Sequence, residues 1–256
     1  MEVSLEEVAD CFCRGFCYTR SFTHPYLYSR PGKLRVLQDG PRNSGDQRKV
    51  EIVSIGMDPQ EVCDAIRELK PPRFFACPID LMGADFEATK RVFKANHFRC
   101  LGKEPLFVLA LGQERKARTS HAIQRVTDPD MANRVKVASG SRQILEKDLH
   151  DGAAGLRLYA AFEGDEPIAW VRSIPTGEGF AWVSNLYVQP AYRRRGLGMA
   201  IMNKMLEDDE SFGIKWSVLL ASSVGTHLYP RLGYEQVGLL QLFAPKKELW
   251  GIAPYR

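Results

Sequence analysis

Hydrophobic residues form β-type runs, bounded by polar turns, between residues 156 and 188. The segment LRLYAAFEGDEPIAWVRSIP (156–175) contains two β-type runs joined by a short acidic turn with a glycine, which predicts a β-hairpin. The following run FAWVSNLYV (180–188) predicts a third strand. We therefore expect three consecutive strands in this part of the chain.

Segments that are predicted to be helical flank these strands on both sides. Before them, HAIQRVTDPDMANRVKVA (121–138) predicts a short strand and a helix opened by Asp128 and Pro129, and SRQILEKDLHDG (141–152) predicts a second helix ended by Gly152. After them, an amphipathic helix is predicted from five apolar residues at helical spacing, namely Leu197, Ile201, Met202, Met205 and Leu206.

After this helix, the sequence predicts a strand in IKWSVLLAS (214–222). It then predicts a short helix in SVGTHLYPRLGY (223–234) that ends near Gly233. The order of elements is then strand, two helices, hairpin, strand, helix, strand and helix. This order predicts an α/β (α+β) fold class, with a mixed, mostly antiparallel sheet flanked by helices.

Composition narrows the class of protein without fixing its function. The chain has 256 residues, 45% of them hydrophobic and 26% charged, with a net charge of +4, which is typical of a globular protein of one large or two small domains. The small positive excess does not predict a nucleic-acid partner. The acidic start MEVSLEEVADCF differs from a secretory signal and no apolar run reaches the length of a membrane span, so we expect a cytoplasmic protein with no membrane partner.

All six cysteines lie in the first hundred residues. In a cytoplasmic protein they are expected to be reduced and packed as small hydrophobic residues. Cys11, Cys13 and Cys17 have neither the usual CxxC spacing nor a histidine at ligand spacing, so no metal site is expected.

Candidate chemistry begins in AYRRRGLGMA (191–200), where three arginines precede two glycines between a predicted strand and a predicted helix. The first N–H groups of a helix are free to bind an anion, and a residue without Cβ lets a phosphate approach the backbone. Arginines at this end of a helix oppose its dipole unless an anion is bound there. The turn therefore predicts a phosphate-binding site.

Two common phosphate motifs do not fit. A dinucleotide fingerprint needs a third glycine where this chain has Ile201, and a P-loop needs Lys followed by Ser or Thr.

The segment LYVQPAYRRRGLGMAIM (186–202) instead resembles the acetyl-coenzyme A signature of the GNAT superfamily of N-acetyltransferases. Arg193, Gly196 and Gly198 fill the family pattern of Arg or Gln, two residues, Gly, one residue, and Gly or Ala. The order of elements also fits, so the resemblance covers roughly residues 120 to 245.

The resemblance implies that acetyl-CoA is the co-substrate. The main-chain amides from Arg194 to Gly198 would bind its pyrophosphate. Residues 186–188 would bond to its pantetheine arm, where the strand is locally opened. The coenzyme-contacting residues implied by the resemblance are Leu186, Tyr187, Val188, Arg193, Arg194, Arg195, Gly196, Leu197, Gly198 and Ser222.

The same resemblance implies Tyr229 as the catalytic acid that protonates the departing thiolate. A phenol suits this role because it stays protonated at neutral pH. The alternative is a tyrosine that only packs against the sheet. For a general base, Glu178 and His227 are weak candidates, and a water chain or an amine that arrives neutral would serve without one.

Aromatic and glycine positions of FKANHFRCLG (93–102) recur in YPRLGYEQVG (229–238) at an offset of 136 residues, a recurrence that reflects either duplication or chance. This offset aligns EVCDAIREL (61–69) with LGMAIMNKM (197–205), Gln60 with Gly196, Val62 with Gly198, and Phe93 with Tyr229. We interpret residues 1–111 as a degenerate GNAT-like domain that does not bind coenzyme, 112–120 as a linker, and 121–256 as the acetyltransferase domain.

The leading hypothesis is an N-acetyltransferase that acts on a primary amine of a small molecule or peptide, by direct attack on acetyl-CoA. The alternative is a non-catalytic acyl-CoA binding or sensor protein. The sequence does not indicate the acceptor, the acyl chain length or the oligomeric state.

Overall fold

The computed structural model of the chain describes residues 3–43, 45–112, 121–150, 155–222 and 225–246. The chain divides into two compact units. The N-terminal unit comprises Met1–Phe107, Ala221–Ser223 and Gln236–Arg256, and the C-terminal unit comprises Val108–Leu220 and Val224–Glu235.

In its described residues, the N-terminal unit contains three helices and a sheet in the order β1-β2-β3-β4-β11-β5. Strands β3 and β4 are parallel, whereas β1 with β2, β2 with β3, and β4 with β11 are antiparallel. The elements, of which β5 and β11 lie mostly in this unit, are α1 Leu5–Arg20, β1 Tyr26–Ser29, β2 Arg35–Asp39, β3 Val50–Ile55, α2 Pro59–Leu69, β4 Phe74–Leu81, α3 Phe86–Ala95, β5 Phe98–Ala110 and β11 Glu235–Pro245.

The core of the N-terminal unit forms where α2 and α3 bury their apolar faces. Phe93 of α3 is fully buried, stacks on Phe243 with ring centroids 4.2 Å apart, and meets the edge of Phe98 at 5.1 Å. Residues of α2 and β3 join the same cluster, including Ile66 and Ile52. Phe93 is therefore a core residue of this unit.

The C-terminal unit has a sheet in the order β10-β9-β8-β7-β6, in which β9 and β10 are parallel and the other pairs are antiparallel. Helix α4 begins after Asp128, whose side chain accepts a hydrogen bond from the Met131 N–H, and carries Pro129 in its first turn, as predicted. The elements are β6 Ile123–Arg125, α4 Pro129–Ser139, α5 Glu146–His150, β7 Arg157–Glu163, β8 Glu166–Gly177, β9 Phe180–Val188, α6 Leu197–Ser211 and β10 Trp216–Leu220.

A buried polar group joins α6 to this sheet. Arg157 of β7 donates to Asp209 of α6 at 2.7 Å, and the Ser173 hydroxyl of β8 donates to the same carboxylate at 2.7 Å. The two charged side chains are fully buried. This ion pair fixes the helix on the strands that it covers.

The predicted strands and α6 are present at nearly the predicted positions, and the fold class is confirmed. Three details differ. The second predicted helix is the five-residue α5, and its predicted end at Gly152 lies outside the described residues. The predicted helix in 223–234 is two 3₁₀ turns, Gly225–His227 and Tyr229–Leu232, and the second ends at Gly233 with a positive φ of 91°. Helices α1 and α3 and strands β1 to β5 and β11 were not assigned from the sequence.

Both units repeat one order of elements. Three antiparallel strands lead into a helix, a strand parallel to the third, and a short helical segment: β1-β2-β3-α2-β4-α3 in the N-terminal unit and β7-β8-β9-α6-β10-3₁₀ in the C-terminal unit. In the chain, each series is followed by a long strand, β5 or β11. Two units in tandem, as predicted, are therefore confirmed. Residues 236–256 group with the N-terminal unit, and the division into domains 1–111 and 121–256 stays a prediction.

Five of the six cysteines are buried, as expected for small hydrophobic residues, and Cys100 is exposed. Across the described ranges, no helix has both the length and the apolar composition that crossing a membrane requires.

Candidate functional site

Strand β9 separates from β10 before it ends. The register joins the two strands only from Phe180 to Trp182, and β9 then continues to Val188. On its other edge β9 remains paired with β8 as far as Val188. Among the described residues, no strand pairs with the β10-facing edge of β9 at residues 186–188. This is the region where the sequence analysis expects the pantetheine arm.

A β-bulge lies in the same part of β9. The pairs Trp170 with Tyr187 and Arg172 with Ser184 advance two residues on β8 and three on β9, so β9 carries one extra residue. Asn185, inside this bulge, has a positive φ of 54°. Bulges bend a strand and increase its twist, so this one redirects the end of β9.

The glycine turn connects β9 to α6. A 3₁₀ turn at Pro190–Tyr192 is followed by Arg194 with φ 61° and Gly196 with φ 80°, and α6 begins at Leu197. Within the described part of the chain, no side chain forms a capping hydrogen bond at this end of α6. Its first N–H groups have no partner within the helix and carry partial positive charge, so they can bind an anion.

The two glycines of the turn serve different purposes. Gly196 holds a positive φ that a residue with Cβ adopts only with strain. A Cβ on Gly198 would lie 3.6 Å from Leu228 and 3.7 Å from Val188, which are ordinary contacts, and its φ is not in the left-handed region. The protein fold therefore does not require glycine at 198, whereas a phosphate that approaches the main chain does.

A cavity of about 450 Å³ opens at this turn. Val188 lines its strand side, residues 192–194 and 196–200 line its turn and helix, and Leu228 and Arg231 close it from the segment after β10. Four arginines lie in or beside it: Arg193, Arg194, Arg195 and Arg231. Their exposed guanidinium groups and the end of α6 give the cavity the charge that a phosphorylated ligand needs.

Arg193 and Arg195 are held in place by contacts with their neighbours. Arg193 Nε donates to the Val188 carbonyl at 2.9 Å, and its guanidinium lies 5.6 Å from the Tyr187 ring centroid. Arg195 lies 5.7 Å from the ring of Tyr192, whose hydroxyl bonds to Glu163. The end of β9 and the glycine turn are thereby joined by side chains that the sequence analysis assigned to the coenzyme.

Tyr229 begins the second 3₁₀ turn and is 7% exposed. Its ring meets Tyr234 edge-on at 5.7 Å and lies so close to Gly225 that a Cβ there would be 2.9 Å from the ring. Burial raises the pKa of Tyr229 to about 12. Its hydroxyl therefore remains protonated at neutral pH, as a proton donor must.

The remaining predicted residues occupy less central positions. Ser222 is exposed after β10. Glu178 lies in the turn between β8 and β9, at the opposite end of β9 from Val188, which removes it as a base for this cavity. His227 is exposed in the first 3₁₀ turn.

The corresponding turn of the N-terminal unit is closed. The side chain of Asp58 caps α2 by accepting from the N–H groups of Gln60 and Glu61 at 2.8 and 3.1 Å. The amides that would meet a phosphate are thus occupied by a carboxylate, which also repels an anion. The side chain of Val62 is buried, so this turn lacks the bare backbone of Gly196 and Gly198.

Sequence reasoning missed five residues that line the cavity: Tyr192, Met199, Ala200, Leu228 and Arg231. Arg231 lies in the same short segment as Tyr229 but 33 residues beyond Gly198 in the chain. Its basic charge was a visible signal, whereas its proximity to the glycine turn arises only in the folded unit.

Comparison with known proteins supports this assignment of the fold. Residues 154–236 match the acetyltransferase (GNAT) domain model, which spans β7 to the start of β11. No curated protein matches the sequence.

Solved structures show the same fold over nearly the whole chain. A GCN5-related N-acetyltransferase from Kribbella flavida has a TM-score of 0.64 at 18% identity, with 99% of this chain and 100% of that chain covered. One from Sphaerobacter thermophilus has a TM-score of 0.53 at 12% identity, covering 82% and 79%. A tandem GNAT protein from the clavulanic acid biosynthesis pathway has a TM-score of 0.52 at 11% identity, covering 93% and 94%. Domain and fold together support acyl transfer in general.

Proposed function

We propose that this chain, whose residues 154–236 match the acetyltransferase (GNAT) domain model, transfers the acetyl group of acetyl-CoA to a primary amine of a small molecule or peptide. The observation that carries the proposal is the uncapped start of α6, which opens into an arginine-lined cavity beside the unpaired end of β9. This arrangement suits a long ligand with a pyrophosphate at one end and hydrogen-bonding amides along its arm.

In this proposal, the N–H groups from Arg194 to Gly198 bind the pyrophosphate, and Arg193, Arg195 and Arg231 add charge around it. The main chain at 186–188 binds the pantetheine arm as a neighbouring strand would. Ser222 contributes one further contact. The room at Gly198 is the feature that fits the ligand most directly, since the surrounding side chains leave space there for more than a hydrogen atom.

The reaction is direct attack of the amine on the acetyl carbonyl. A C–N bond forms, the C–S bond breaks, and the departing sulfur takes a proton from the Tyr229 hydroxyl. The proton lost by the amine passes to water, and solvent restores the phenol. Holding both reactants side by side supplies much of the acceleration, so an amine that arrives neutral needs no dedicated base.

The competing function is an acyl-CoA binding protein without catalysis. The packing of Tyr229 against Gly225 and Tyr234 favours it, because the same contacts would suit a purely structural tyrosine.

Two variants separate these functions. Acetyl-CoA at 100 times its Kd is expected to stabilise the wild type by about 2.7 kcal/mol. Gly196→Glu should abolish that stabilisation, since its side chain adds a negative charge and strain at φ 80°. Tyr229→Phe should keep it and lower turnover by about 10²–10⁴-fold, measured as free thiol released with a panel of amines.

Tyr234→Phe is the matched control, because it removes a hydroxyl from the ring that packs against Tyr229. The Tyr234 hydroxyl is hydrogen-bonded to the Ser217 hydroxyl at 2.6 Å. This variant should keep turnover within a few-fold of the wild type. Unchanged turnover in Tyr229→Phe would reject the tyrosine as the acid. A wild type that binds acetyl-CoA but releases no thiol with any amine would favour the binding protein.

A further inference from the structure

A residue outside β9 forms a hydrogen bond with the bulge of this strand. Asn185 adopts φ 54° in the bulge, a conformation that asparagine tolerates better than most residues but that glycine adopts without cost. Its side-chain Nδ2 donates to Oε1 of Gln143 at 2.6 Å. Gln143 lies between α4 and α5, so this bond ties the connection of the two helices to the strand.

Gln143 is itself rigidly placed. Gln143 is only 2% exposed to solvent. Its Nε2 faces three acceptors, the hydroxyl of Ser139 at 3.0 Å, the hydroxyl of Ser141 at 2.9 Å and the Ser141 carbonyl at 3.2 Å. With Nε2 directed at these oxygens, Oε1 is directed at Asn185, and a buried amide held on both sides is a fixed acceptor.

We infer that Gln143 is a positioning residue that holds Asn185 in the left-handed conformation and thereby sets the direction of β9 at residues 186–188. This inference rests on the proposed function, in which those residues bind the pantetheine arm. Gln143 does not touch the coenzyme in this role. It acts through the bulge, one residue before the main chain that makes the contact.

The conformational part is tested without ligand by hydrogen exchange over residues 184–188. Gln143→Met removes the acceptor at similar volume, and the lost hydrogen bond should accelerate exchange in this segment by about threefold to tenfold. In the Asn185→Gly background the same change should have no effect on exchange there, because glycine holds the bulge unaided. Equal acceleration in both backgrounds, or none in the first, overturns the inference.

The functional part is the Kd for acetyl-CoA measured by calorimetry on the same variants. Gln143→Met should weaken binding by about threefold to tenfold, and the double variant should bind within about twofold of Asn185→Gly alone. If Gln143→Met acted only by losing the contacts with Ser139 and Ser141, it would lower the Tm both alone and combined with Asn185→Gly. The Kd of the double variant would then remain weaker than that of Asn185→Gly alone.

Arg134→Gln serves as the control, since Arg134 belongs to the adjacent helix α4 and forms an exposed ion pair with Asp165. It should leave both readouts unchanged. A Kd that does not respond to Gln143→Met overturns the inference. If the variants show the expected exchange rates but the wild type binds no acetyl-CoA, the proposed function is refuted. The conclusion that Gln143 positions the bulge would then still hold.

Discussion

Single residues at the start of α6 separate the needs of the fold from those of a ligand. Gly196 is explained by the backbone, because its φ of 80° lies in the left-handed region. Gly198 is not, because the protein leaves ordinary space around its missing Cβ. A residue that the fold does not require is the better indicator of binding.

This difference predicts opposite behaviour for two alanine variants. Gly196→Ala should lower the free energy of unfolding by about 1–2 kcal/mol, since alanine is strained at positive φ. Gly198→Ala should keep or raise stability, because alanine favours the first turn of a helix, and should weaken acetyl-CoA binding. Urea unfolding and calorimetry measure the two quantities. Equal stability losses in both variants would contradict this interpretation.

At the scale of elements, α6 presents the site and is fixed to the sheet by the buried pair of Arg157 and Asp209. Burial raises the pKa of Asp209, and the charge of Arg157 opposes that increase. A buried charge is tolerated here because it is paired and hydrogen-bonded.

Removing one partner should therefore be more harmful than removing both. Asp209→Ala should cost about 3–5 kcal/mol of stability because it leaves the Arg157 guanidinium buried without its counter-ion. The double variant Arg157→Met with Asp209→Leu should be less destabilised than the single one in urea unfolding. A double variant as unstable as Asp209→Ala would show that shape, and not charge, dominates this contact.

At the scale of the whole molecule, the two units share an order of elements but not a binding turn. The carboxylate of Asp58 occupies the amides of α2, whereas the start of α6 is uncapped. The first N–H groups of α2 thus already bond to a carboxylate, whereas those of α6 are available to the phosphate that we propose.

We expect one acetyl-CoA to bind per chain. Calorimetric titration should give a stoichiometry of one, and Gly196→Glu should remove all of the binding heat, because no second site of this kind exists at α2. Residual binding of a second equivalent in this variant would show that the N-terminal unit also takes coenzyme.

Buried acidic groups predict alkaline sensitivity of the whole chain. Burial raises the pKa of Cys17, Cys63 and Tyr229 to about 12, so in the fold all three remain neutral as the pH rises. The thiols of the unfolded chain ionise near pH 8.5, whereas the buried thiols of the folded chain stay protonated. Their contribution to the free energy of unfolding is therefore complete below pH 8.5 and is lost as the pH rises toward 12.

Stability should fall by roughly 1 kcal/mol per buried thiol between pH 9 and pH 10. Urea unfolding across pH 7 to 10.5 measures this slope. Cys63→Ala should be less stable throughout, because Cys63 is fully buried, but should show a shallower slope. Stability that stays level through this range would contradict the prediction.

The sequence alone determined much of the C-terminal unit, because its signals are local. Runs of β-type residues predicted β7, β8 and β9, Asp128 and Pro129 predicted the start of α4, and the glycines and arginines predicted the start of α6. Local signals failed where proline and glycine compete with helix formation: Pro230 lacks an N–H and Gly233 ends the segment, so 3₁₀ turns replace the predicted helix.

Only the tertiary structure decided which distant residues meet. It brought Arg231 to the glycine turn, placed Gln143 on the bulge at Asn185, and assigned β11 to the N-terminal unit, where its Gln241 donates to the buried Asp80 at 2.7 Å. The physical reason is that hydrogen bonds and charges act through space, so a contact between residues far apart in the chain leaves no periodic trace in the order of amino acids. Backbone conformation is encoded near each residue, and the assembly of the cavity is not.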